Sequence, residues 1–146
     1  NLDVYRDAWK HAGHPGNGSV YLRVPLYAAQ SERAALEEPR DNIVYYFERQ
    51  AKMVASSQAN AASAGSSTGG AAKTVATLKS LTYDDILKSR VAFGTAPQRI
   101  DRLTEWNDGL GIDGGIAETN AGGMLTEEQV KNSLRIITHD VMPAFK

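Results

Sequence analysis

Six residues near the ends of two short apolar runs are of types that can hold a ligand. Gly94 and Thr95 close "RVAFGT", and Glu118, Asn120, Gly122 and Gly123 close "GGIAETNAGG". Glycines let a ligand approach the backbone closely, and each group stands just ahead of a helical pattern whose N-terminus attracts anions. The same residues read more simply as plain turns joining strand to helix. Glu118 has two readings of its own: a general base or ligand anchor, or a structural partner of Arg23. Other groups offer less chemistry. His14 lies in the breaker "GHPGNG" ahead of a strand, at the sheet end tied to stability rather than reaction. His11 and His139 fall in helical stretches without a partner at ligand spacing, so no metal is expected. Asp84 and Asp85 read as a solvated helix start. No phosphate loop, dinucleotide fingerprint or serine elbow is present. The chain has no cysteine, which excludes disulfides, thiolate metal sites and cysteine nucleophiles and fits a reducing, cytoplasmic setting.

These residues need elements to position them, and the last third of the chain supplies two similar units. "RVAFG" reads as a short strand. "TAPQRIDRLTEWNDGLG" follows as a helix with a Thr95/Gln98 capping box, Pro97 in its first turn, and Gly109 or Gly111 to end it. Its expected inward face is Ile100, Leu103 and Leu110. "GGIAET" is the next strand. Thr126 and Gln129 then open a second capped helix, carried by Val130, Leu134, Ile137 and Val141 as far as Pro143. Strands alternating with helices of this length predict a parallel sheet with helices packed on it. Right-handed connections would open both turns, at Thr95 and at Asn120 to Gly123, on one side of that sheet.

Earlier in the chain, "NLDVYRDAWKHAG" is helical, with Val4, Ala8 and Ala12 as one stripe beside Tyr5 and Trp9. It has no N-cap and no initiator Met, so the chain is read as starting inside a larger protein. "SVYLRVPLYAA" alternates as a strand, with Val20, Leu22, Val24 and Leu26 on one face and Tyr21, Arg23 and Tyr27 on the other. Pro25 is unusual there, because proline donates no ladder hydrogen bond. Ser31 can cap a helix that Pro39 breaks. Ile43, Tyr46, Phe47, Gln50 and Val54 then mark one side of another. Residues 56–71 are Ala/Ser/Gly-rich and hold no large apolar side chain, which predicts a flexible insertion or a fraying helix. Short helices are expected in "AKTVATLKSL" and "TYDDILKSR". One domain accounts for 146 residues, and a formal net charge of −1 argues against a nucleic-acid partner. No apolar run approaches the roughly 20 residues that span a bilayer.

Three stretches together, "YRDAWKHAGHPGNGSVYLRVPLYAA", "SRVAFGTAPQRIDRL" and "ETNAGGMLTEEQVKNSLRIITHDVMPAF", resemble the C-terminal part of the luciferase-like, flavin-dependent monooxygenases. The resemblance runs from end to end and is weakest through the Ala/Ser/Gly segment. "VAFGTAPQRIDRL" is similar to the family's valine-rich strand, Gly-Thr-Pro turn and helix, here with Ala96 interposed before Pro97. It implies an α/β chain forming about the last three strands and four helices of a (β/α)8 TIM-type barrel, residues 1–146 being one partial domain. It further implies an oxidoreductase using reduced flavin mononucleotide, or in some branches a deazaflavin coenzyme, with molecular oxygen on a small organic substrate. Gly94, Thr95, Glu118, Asn120, Gly122 and Gly123 would then lie at the barrel mouth beside the cofactor. The cofactor carries the hard chemistry, so no catalytic residue is assigned. Much of the family's phosphate grip lies on earlier strands. The fragment alone is therefore expected to be inactive and to form homo-oligomers or join the missing half of its barrel. A non-enzymatic half-barrel that self-associates and binds an anion at its glycine turns is the competing reading.

Overall fold

A computed structural model describes residues 2–65 and 70–145. Its elements are α1 (Leu2–His11), β1 (Tyr21–Ala28), α2 (Glu32–Glu37), α3 (Arg40–Ser63), α4 (Ala71–Ser80) and α5 (Tyr83–Ser89). They continue with β2 (Ala92–Gly94), α6 (Ala96–Leu110), β3 (Gly114–Glu118) and α7 (Glu127–Ile136). A π-helical turn (Ile137–Val141) and a 3-10 turn (Met142–Phe145) finish the chain. The protein is α/β, with a small sheet in the order β2-β1-β3 and both pairings parallel.

The parallel sheet follows the expectation from alternating elements, but the order differs from that of three consecutive barrel strands. Such a run would put β2 in the middle. Length accounts for the difference. β3 finds five register partners on β1, Tyr21 to Pro25, whereas the whole of β2 has three residues. β2 itself pairs with Leu26 to Ala28. Pro25 therefore sits where one ladder ends and the other begins, which is how a proline is accommodated in the middle strand.

Alternation along β1 divides the core in two. Val24, Leu26 and Ala28, with Ala92, pack against Ile136, Ile137, Leu103 and Trp106. On the other face Tyr27 and Phe93 meet Ala35, Ile43, Phe47 and Ile86. Burying each of the larger side chains stabilises the fold by about 1.5–3 kcal/mol. Ser133 ties the first layer together, its Oγ accepting from the Ala28 N–H at 3.0 Å.

Helix ends follow the sequence closely. Ser31 accepts from the Ala34 N–H, Pro39 separates α2 from α3, and Gly111 ends α6 in a left-handed conformation. Two expectations are corrected. Val4 is exposed, and α1 is instead held through Arg6, which donates to the Gly111 carbonyl at 2.7 Å. Leu110 is also exposed, because the inward stripe of α6 is buried Arg99 with half-buried Ala96, Leu103 and Trp106, and on α7 Leu134 is exposed while Ser133 and Ile136 are buried. Residues 56–63 continue α3, since alanine favours helix even without an apolar stripe, and α4 packs back along it. Residues 66–69 of the expected flexible segment lie outside the described residues. No helix among the described residues is long and apolar enough to cross a membrane.

Candidate functional site

Because β2 and β3 both run parallel to β1, the turns after them open at the same edge of the sheet. Register brings the first pair of groups together. Glu118 stands opposite Pro25, on the face that also carries Arg23 two residues earlier. Arg23 donates to Glu118 Oε1, and the Tyr46 hydroxyl, from α3, donates to Oε2 at 3.5 Å. Both carboxylate oxygens are thus engaged. The hydrogen bond and charge of Glu118 raise the Arg23 pKa above its ordinary value. Burial, then the same carboxylate, raises that of Tyr46. This cluster borders an open cleft of about 450 Å3 with Phe47, Arg90 and Trp106 on its other walls.

The loop after β3 is held against the start of α3. The Asn120 side-chain oxygen accepts from the Leu125 N–H at 3.2 Å, and its carbonyl accepts from Gly123 at 3.0 Å. Buried Asn42 accepts from the Met124 N–H at 2.9 Å. Gly122 makes that approach possible: a Cβ there would lie 2.7 Å from Asn42 Oδ1 and still closer to its carbonyl oxygen. Thr126 then caps α7, its N–H donating to Gln129 Oε1 at 2.9 Å.

At the other turn the Thr95 N–H donates to Gln98 Oε1 at 2.9 Å, and the Gln98 amide nitrogen donates to Glu32 at 3.2 Å. Gly94 has φ +155°, and a Cβ there would run into the Arg99 guanidinium, whose Nε would be 2.8 Å away. Arg99 is 7% exposed, and its Nε has no hydrogen-bond partner. Desolvation, helped by the charge of Arg102, pulls its pKa down to about 10.

The six candidate residues therefore share one edge of the sheet, where Glu118, the Asn120 side-chain oxygen and Thr95 bond to the protein itself. Among the described residues, no three His, Cys, Asp or Glu side chains come together as metal ligands. Three residues of the site escaped the sequence reading. Tyr46 was on the recognised stripe of α3, and a half-buried tyrosine needs a partner for its hydroxyl. Arg99 is spaced with Ala96, Leu103 and Trp106 at helical intervals, a signal that its charge masks. Asn42 carried no signal, because its partner is a backbone group 82 residues away. Neither a protein-family model nor a curated protein matches the chain.

Proposed function

We propose that the chain is the C-terminal part of a luciferase-like, flavin-dependent monooxygenase, contributing wall and turns to the cofactor chamber. One observation carries the reading beyond the resemblance: a parallel strand, a glycine turn and a capped helix occur twice, with both turns on one edge of the sheet. That edge is where parallel α/β enzymes build their sites. The Arg23–Glu118 pair lies on the face of β1 opposite α6 and α7, the two helices assigned to the outer layer of the barrel. In the complete barrel β2 lies between β1 and β3, so completion must transfer β3 from β1 to β2.

A chamber enclosing reduced flavin has to exclude water on several sides, and three strands form only part of such a wall. The 146-residue chain alone is expected to bind flavin mononucleotide no tighter than millimolar and to consume no oxygen. Joined to the coding sequence upstream of it, it is expected to bind the cofactor and consume oxygen when reduced flavin is supplied. Fluorescence titration and an oxygen electrode make the comparison. Micromolar binding by the isolated monomer, or an upstream sequence without the earlier barrel strands, would end the proposal.

A further inference from the structure

We propose that the cleft between α5 and α6 is a phosphate site, anchored by the Arg99 guanidinium and completed by Lys88. A buried arginine ordinarily has a carboxylate or carbonyl to accept from it, because an uncompensated charge inside a protein is costly. Arg99 is more than nine-tenths buried, and its buried Nε has no hydrogen-bond partner among the described residues. Its guanidinium rests against Gly94, one turn into α6, where the helix N-terminus also favours negative charge.

The cleft it lines has a volume of about 400 Å3 and is open to solvent. Leu87, Val91 and Phe93 form its apolar floor. The other charged groups facing it are Lys88 and Arg102, and Asp101 and Glu105. Arg102 is already occupied: it donates to Glu105 at 2.8 Å and to the Lys88 carbonyl, and its guanidinium lies 4.6 Å from the centre of the Trp106 ring. Gln98 is occupied too, by Thr95 and Glu32. Arg99 is left as the buried donor without an acceptor, with Lys88 on the facing helix. A guanidinium fork satisfies two oxygens of an anion. An ammonium from a second element takes a third oxygen, which a tetrahedral phosphate has and a carboxylate lacks. The ligand is thus inorganic phosphate or a phosphate monoester, and the site does not depend on the flavin reading.

The test uses the 146-residue chain and inorganic phosphate, at constant ionic strength so that screening is unchanged. Phosphate is expected to raise the thermal midpoint along a single-site curve, and acetate to leave it unmoved. In Arg99→Met the half-saturating phosphate concentration is expected to rise about tenfold or more, while Arg99→Lys keeps part of the response. Amide shifts on adding phosphate to the unmodified chain should centre on Lys88, Gly94, Thr95 and Arg99, a readout that holds even if a variant fails to fold. No response from the unmodified chain, an undiminished response from Arg99→Met, an equal response to acetate, or shifts centred elsewhere would overturn the assignment.

Discussion

Glu118 and Gly122 show how differently two candidate ligand residues can be tied into the fold. Glu118 sits in an ion pair whose arginine is 64% exposed, and such pairs contribute only about 0–1 kcal/mol. Glu118→Gln is therefore expected to lower stability by less than about 1 kcal/mol in chemical denaturation. A larger loss would mean the pair holds β3 in place. Gly122→Ala meets the Asn42 backbone and should cost about 1–3 kcal/mol, as overpacking does. Gly123→Ala has open space around it but a φ of +75°, and is expected to cost about 1 kcal/mol. Arg99 works in the opposite direction. A base whose folded pKa lies below its unfolded one destabilises the fold while protonated, and relief comes only as pH rises above about 10. At neutral pH without phosphate, Arg99→Met should thus raise stability by about 1–3 kcal/mol, because the unbranched methionine side chain takes the place of the arginine stem and leaves no charge behind.

Among the elements, helix boundaries were the most legible part of the sequence, because a cap is a local pattern of two residues three apart. Thr95 with Gln98 and Thr126 with Gln129 both proved to bound helices, and Ser31, Pro39 and Gly111 did as expected. Asp84 and Asp85 were placed at a helix start, but the box that Asp85 closes with Thr82 was not anticipated. The hydrogen bonds from Thr82 hold the Asp85 pKa below its ordinary 3.8. A depressed carboxylate stabilises above its unfolded value and loses that contribution as pH falls through the folded one. The stability gap between the unmodified chain and Asp85→Asn, followed by denaturation across pH, should therefore close below about pH 4. Faces of helices were less legible than their ends. Leu110 and Leu134 are apolar yet exposed, and Arg99 and Ser133 are polar yet buried, since partners distant in the chain decide which side turns inward. Strand order was not legible at all. It depends on how many partners each neighbour offers, and β2 is too short to compete with β1.

The whole molecule leaves substantial apolar surface uncovered. β3 ends the sheet, Ile116 on it is 53% exposed, and an open cleft of about 600 Å3 runs from Leu22 and Leu26 past Ile116 to Met142 and Phe145. Unpaired strand edges and apolar clefts favour association. Light scattering is expected to show a mass above that of the 15.8 kDa chain, falling when Ile116→Lys is introduced. A monomeric unmodified chain would contradict this. If the barrel reading holds, a cysteine at position 116 in the complete protein should cross-link to one on β2 more readily than to one on β1.

The division of β1 at Pro25 has a separate bearing on how the sheet opens. No residue of β1 serves both neighbours, so it behaves as a splint bound by two independent lashings. Exchange of amide protons for deuterium should consequently run on two clocks. Residues 21–24 should keep the time of β3, and residues 26–28 that of β2, where α2, α6 and the Ser133 bond fasten the strand. The slower clock belongs to the shorter ladder, because what slows it is the layer packed on top, and β3 can come away without disturbing it.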